Sequence, residues 1–144
     1  MIQAADALGR IGPDSVDVLV MALRHDDNDV RTEAAKALRR IGPLAKAAVP
    51  SLKAQLKDEF VRARVAAVVA LWAIIGRIDE NMPVLSAALK EDPVYVADAV
   101  MRIGPPAAST LSALIESAKT TEDAYTRNWV ALAIGFLGAE AKPA

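Results

Sequence analysis

Three arginines and a scatter of acidic residues in short polar segments are the groups in this chain whose type and spacing could do chemistry. Arg31, Arg64 and Arg127 each stand ten residues ahead of a recurring apolar position, at Ile41, Ile74 and Leu137. A ladder of guanidinium groups at such spacing suits either of two tasks, gripping an acidic partner or pairing within the fold. The carboxylates fall at Asp26, Asp27 and Asp29, at Asp58 and Glu59, at Glu91 and Asp92, and at Glu122 and Asp123. A calcium loop needs alternating oxygen ligands, a central Gly and a closing Glu, and residues 26–37 have neither the Gly nor the Glu in place. Capping of helix N-termini accounts for these acids better, because a carboxylate accepts from the first free N–H groups of a helix. The single histidine, His25, sits at a helix end with no second histidine, and cysteine is absent. The residues therefore imply no metal centre, no cofactor and no disulfide. Neither a Gly-rich phosphate loop, nor a Gly-x-Ser-x-Gly elbow, nor a nucleophile paired with a base occurs, so the chain reads as non-catalytic.

The elements that must position these groups are helices. The chain has 144 residues, 53% of them hydrophobic and 4% aromatic, so its core is made of Ala, Val, Leu and Ile. That composition suits close helix-on-helix packing. The net charge of −1 provides no general basic field for nucleic acid or anionic lipid. The most apolar segment, Val65 to Ile75, is 11 residues long and flanked by Arg62, Arg64 and Arg77. A membrane span needs about 20 apolar residues, so this is a buried helix. The first thirteen residues do not read as a signal peptide, which leaves the cytoplasm as the default location.

The chain repeats itself. Residues 7–13 read ALGRIGP, 37–43 read ALRRIGP and 99–105 read AVMRIGP, with degenerate copies at 70–76 and 133–139. The recurring positions Ile11, Ile41, Ile74, Ile103 and Leu137 are spaced by 30, 33, 29 and 34 residues. Each copy ends an apolar helical run in Gly, which can cap a helix in the left-handed conformation, and Pro then opens the next helix. The pattern predicts an all-α superhelical solenoid of about four and a half helical hairpins in a single array over residues 1–144. It places a lone helix at about 2–11 and hairpins of 14–24 with 29–41, 44–57 with 60–76, 79–90 with 93–103 and 106–119 with 121–137. Pro50 and Pro83 are expected to kink the first helices of their hairpins or delay their start. The chain opens on the second helix of a hairpin, and Gly138 to Lys142 resemble Gly42 to Lys46, so the array reads as an excerpt of a longer one.

The run Asp29, Val30, Arg31, Ala34, Ala35, Ala37, Leu38, Ile41 and Gly42 resembles the second helix of a HEAT repeat. It is more closely similar to the short bacterial type first noted in phycobilisome lyases. Arg64 and Arg127 match the position of Arg31, whereas the third hairpin carries no such Arg. The resemblance implies a scaffold for protein-protein interaction, with the arginine ladder bonding acidic groups of neighbouring turns and fixing the stack. It also carries two alternatives: a bilin-lyase-like or chaperone-like protein, and a nucleic-acid binder like the HEAT-like DNA glycosylases, which the acidic balance disfavours. Deoxyhypusine hydroxylases, HEAT-like enzymes that hold iron through His-Glu pairs, are not supported, since the chain has no such pair.

In this architecture the second helices line a concave face. The outward positions of the first hairpin hold Thr32, Glu33, Lys36, Arg39 and Arg40; those of the second hold Val65, Ala66, Val69, Trp72 and Ala73. Those of the fourth hold Asn128, Trp129, Leu132, Gly135 and Phe136, for which cover by neighbouring or further repeats is expected. Two readings of the second hairpin stay open: its apolar positions are packed under neighbours, or Val65, Val69 and Trp72 form a partner-binding patch continued by Tyr95 and Met101. Lys36, Arg39 and Arg40 would form a basic rim, with Arg10 at the equivalent corner of the first helix. The expected partner is another protein or a peptide.

Overall fold

The computed structural model describes Gln3, Ala7 and residues 12–140. The helix expected at 2–11 falls almost entirely outside the described residues, as do Arg10, Ile11 and the last two residues of the Gly138 to Lys142 motif. The described residues are helical and contain no strand. In chain order the α-helices are α1 (Val16–Ala22), α2 (Asn28–Ile41), α3 (Val49–Gln55), α4 (Val61–Ile75), α5 (Met82–Ala88), α6 (Pro93–Ile103), α7 (Leu111–Thr120) and α8 (Ala124–Glu140). They pair as four hairpins, α1 with α2 through α7 with α8. The fold is an all-α solenoid type built from repeated hairpins. The chain divides into two compact units, Met1–Arg77 and Ile78–Ala144, each containing two of these hairpins.

Every first helix starts later than its sequence pattern suggests. Each is preceded by a 3-10 turn, at Pro13–Ser15, Gly42–Ala48, Asp79–Asn81 and Pro105–Thr110. Proline is the reason in two of them. Pro50 and Pro83 each occupy the second residue of α3 and α5. A proline there has no N–H to donate and blocks a continuous α-helix through the preceding turn, so regular helix begins only one residue before it.

The glycine corners also differ from the expected left-handed cap, in a way the next residue explains. Gly76, which Arg77 follows, has φ 68° and ψ 12°, a left-handed helix cap. Gly12, Gly42 and Gly104, each followed by proline, keep a positive φ of 97°, 66° and 79° but have ψ of −151°, −139° and −147°. Proline's ring clashes with helical ψ in the residue before it, which drives ψ to the extended value. Positive φ with extended ψ is open to glycine alone among the residues. Gly104→Ala is therefore expected to cost about 2 kcal/mol and Gly76→Ala about 1 kcal/mol, the left-handed region being the milder penalty. Urea unfolding of the two variants measures the difference; a Cβ meets no other atom within 4 Å at either site, so backbone strain alone is read.

Within the first unit the core joins Leu19, Leu38, Leu52 and Leu71 to a set of alanines, Ala34, Ala35 and Ala37 on α2 and Ala66, Ala67 and Ala70 on α4. Alanine at the contact brings α2 and α4 close along their lengths, and the leucines fill the space between first and second helices. In the second unit Leu85, Leu114 and Leu137 with Val96, Val100 and Val130 do the same work. One fully buried leucine stands in each first helix, at 19, 52, 85 and 114. Burying each is worth about 1.5–3 kcal/mol relative to exposure.

Candidate functional site

The three arginines share one contact. Arg31 Nη1 donates to the carbonyls of His25 (2.8 Å) and Asp26 (3.0 Å), Arg64 Nη1 to those of Asp58 (2.8 Å) and Glu59 (3.0 Å), and Arg127 Nη2 to that of Thr121 (2.8 Å). In each case the guanidinium, in the first turn of a second helix, reaches back six residues to the turn that joins it to its first helix. Those carbonyls lie past the end of the first helix, where no helical N–H meets them, so the arginine supplies the missing donor. Regular spacing along the chain thus has a local cause that every such hairpin can reuse.

Arg31 goes further. Its Nε and Nη2 grip both carboxylate oxygens of Asp58, at 2.7 and 2.9 Å, and Nη2 also donates to Asn28 Oδ1 at 2.6 Å. Asp58 belongs to the turn of the next hairpin, so this fork ties two hairpins of the first unit together. Both side chains are mostly shielded, 12% and 10% exposed. Asp58 also takes the Phe60 N–H on Oδ1 at 2.9 Å, while its own carbonyl receives Arg64. Burial pushes the Asp58 carboxyl up, but the hydrogen bonds from Arg31 and Phe60 and the charges of Arg31 and Arg64 outweigh it and hold it below the usual carboxylate value. The hydrogen bond to Asp58, opposed by burial and helped by the charges of Asp58, Glu59 and Asp26, raises Arg31 above its ordinary value. Gln55 on α3 adds a further tie, donating Nε2 to the Arg31 carbonyl at 3.2 Å. The resemblance implied that such arginines bond acids of neighbouring turns; that Arg31 takes Asp58, 27 residues away, had no local signal.

Three of the other turn acids cap helices. Asp27 accepts from the N–H groups of Asp29 (2.8 Å) and Val30 (3.3 Å), Asp92 from Tyr95 (3.0 Å) and Asp123 from Thr126 (2.7 Å). His25 Nδ1 accepts the Asp27 N–H at 3.0 Å, which orders the same turn. Among the described residues no three His, Cys, Asp or Glu side chains are grouped to hold a metal ion. No helix among them is long and apolar enough to cross a membrane.

The residues singled out for partner binding occupy different depths. Val65 and Val69 are 0% and 5% exposed, so they are packed in the interior and present no surface to a partner. Trp72, Tyr95 and Met101 are half-buried. Of the basic rim, Lys36 pairs with Glu33 at 2.7 Å, Arg39 is half-buried and Arg40 exposed. Trp129, half-buried on α8, meets the exposed Tyr125 edge-on, with ring centroids 6.3 Å apart. Leu132 and Phe136, expected to be covered, are 52% and 40% exposed.

No curated protein matches the chain. Among solved structures it is similar to the crystal structure of an engineered protein determined by the Northeast Structural Genomics Consortium, at 22% identity and a TM-score of 0.51. That similarity covers 96% of this chain and 73% of the other. At that identity the likeness speaks to fold, and the fold is the same repeated helical architecture. Residues 2–72, which include the first two Gly corners and the Arg31–Asp58 fork, match the family model for HEAT repeats.

Proposed function

We propose that this chain is a non-catalytic scaffold that binds a protein or peptide through the outward side chains of its second helices. HEAT repeats generally mediate protein-protein interaction, and in solenoids the second helices line the concave side. The observation that carries the reading is a division of labour. Side chains that recur between hairpins, the turn-bonding arginines and the core leucines and alanines, are consumed in holding the fold. Large side chains that do not recur, Trp72, Tyr95 and Met101, keep part of their surface open. Trp and Tyr are the side-chain types that most often anchor interfaces. Lys36, Arg39 and Arg40 add positive charge to α2, which favours a partner carrying acidic groups.

Selection of binders from a displayed random-peptide library, followed by titration on variants, tests this. For peptides that engage the first unit, Trp72→Ala is expected to weaken binding by about 10-fold or more, and for those that engage the second unit Tyr95→Ala is. The peptides are expected to be acidic and to lose affinity with salt. Binding that both substitutions leave untouched would move the site elsewhere. Arg64→Ala separates stack from site: it is expected to lower the melting temperature, and loss of peptide binding at unchanged melting temperature would instead put Arg64 in the binding surface.

A further inference from the structure

Within the first unit, Leu23 and Arg24 at the end of α1 face Ser51, Gln55, Lys57 and Asp58, from α3 and the turn after it, across a cleft of about 210 Å3. Pockets for drug-sized ligands begin at roughly 300 Å3, so an occupant of this one must be small.

Hairpin stacking by itself produces such a cleft. The second unit has one of about 300 Å3 between α5 and α7. Aligned on the buried leucines of the first helices, Leu89, Lys90, Glu116, Ser117 and Thr120 stand there where Leu23, Arg24, Ala54, Gln55 and Asp58 stand in the first. The two therefore differ in chemistry rather than in architecture. The second carries an exposed acid, Glu116, and only a half-buried serine at the Gln55 position. In the first, the one acid is already engaged, since the Asp58 carboxylate takes Arg31 and the Phe60 N–H.

Two features of the first cleft do nothing for the fold. Gln55 is 5% exposed and its Nε2 donates to the Arg31 carbonyl, yet its Oε1 is shut off from solvent and accepts no hydrogen bond. A buried acceptor of this kind is costly and calls for a donor. The Nε2 bond, at 3.2 Å, is near the long limit for N–H···O, which leaves the amide room to tilt toward an occupant. The second feature is charge. Arg24 and Lys57 are exposed, and neither side chain bonds another described residue. A cation at a helix end is ordinary, but residues 42–57 carry Lys46, Lys53 and Lys57 with no acid, a local positive field in a chain of net charge −1.

An occupant must bring a donor to Gln55 and negative charge to Arg24 and Lys57. An amine would set a third cation beside those two, so the donor that fits is a hydroxyl, and Leu23 and Ala54 offer apolar contact to a short carbon chain. We propose that this cleft binds a small organic acid carrying a hydroxyl group, with its carboxylate held by Arg24 and Lys57 and its hydroxyl donating to Gln55 Oε1. The cleft lies between first helices, so it is separate from the second-helix surface proposed for protein binding and does not rest on that reading.

Nuclear magnetic resonance titration of the full, 15N-labelled chain tests this with malate, succinate and inorganic phosphate as probes. Malate and succinate differ by one hydroxyl. Malate is expected to bind with a Kd on the order of 1 mM, shifting the Gln55 side-chain amide and the backbone signals of Leu23 and Lys57. Succinate, which leaves Oε1 without its donor, is expected to bind about 10-fold more weakly or less. Arg24→Gln and Lys57→Gln, both at exposed positions, are each expected to weaken malate about 5-fold or more at unchanged melting temperature. Gln55→Met keeps the side-chain length and is expected to erase the difference between malate and succinate. It also loses the bond to Arg31, so circular dichroism checks its fold, and the two-probe comparison on the wild type asks the same question without it. Equal affinity for malate and succinate, phosphate binding as tightly as malate, shifts centred on Leu89 and Ser117 instead, or no binding up to about 50 mM would each overturn the proposal.

Discussion

Arg31→Met is expected to destabilise the first unit by about 3 kcal/mol, because it leaves a shielded carboxylate without its partner and frees several bonded groups at once. Met keeps most of the aliphatic length, so the loss reads the guanidinium rather than its stem. The carbonyls of His25 and Asp26 lose their donor, and the Asp58 carboxylate keeps only the Phe60 N–H of the three donors it now has. For a chain of 144 residues such a loss corresponds to a fall in melting temperature of about 6–12 °C. An exposed ion pair, such as Asp98 with Arg102 at 2.8 Å, belongs to a different regime, and Arg102→Met is expected to change stability by under about 0.5 kcal/mol. The fork also has a pH signature. The folded state holds the Asp58 carboxyl below its unfolded value of about 3.9, so its stabilisation is complete above that pH and is lost as pH falls through the lower folded value. Arg31 stays charged throughout. The stability gap between wild type and Asp58→Asn is thus expected to be constant from neutral pH down to about pH 5 and to close below about pH 4. Denaturant titrations of both proteins across this range measure it. A gap that persists unchanged at pH 2 would show that the carboxylate charge contributes nothing.

Leu71→Ala is expected to cost as much or more, about 3–5 kcal/mol. Leu71 is fully buried on α4 and belongs to the core that includes Leu38 of α2 and Leu52 of α3. The alanines around it, Ala34, Ala35, Ala67 and Ala70, cannot reach into the space its removal leaves, since an alanine has no side-chain torsion to re-aim. Such a site relaxes poorly, which puts the cost at the upper end of leucine truncations. Leu44→Ala is the matched control, a leucine that is 69% exposed in the 3-10 turn before α3, with an expected effect within about 0.5 kcal/mol. Denaturant unfolding followed by far-ultraviolet circular dichroism compares them. Equal costs at the two positions would contradict the packing described for the first unit.

Most of the hairpin plan was legible from the amino acids. Gly followed by Pro, spaced by about one hairpin, marks where a helix must stop and another begin, since glycine alone accepts the required φ and proline cannot continue a helix. The apolar spacing between those stops then assigns second helices to within a few residues, as α2, α4 and α6 show. First helices were less legible, because a 3-10 turn and an α-helix make the same demand on apolar spacing over so few residues. In two of them, α3 and α5, the late start follows from Pro50 and Pro83. The conformation of the corners was also half legible: positive φ follows from glycine, but extended ψ at Gly42 and Gly104 follows from the next residue.

Depth and partnership were decided by tertiary structure. A run of valines on α4 reads equally well as a patch or as a core, and only packing showed that Val65 and Val69 are interior while Trp72 is half-buried. Likewise Arg31, Arg64 and Arg127 carry one spacing and one backbone contact, which is a local property of each hairpin and so repeats with the sequence. The carboxylate that Arg31 grips lies 27 residues away in the next hairpin. Sequence by itself thus determined that this chain is a stack of helical hairpins, because helix stops and apolar period act over a few residues. Which acid Arg31 grips and which apolar side chains stay open was left to the fold, because burial and pairing depend on what distant residues bring to the same place.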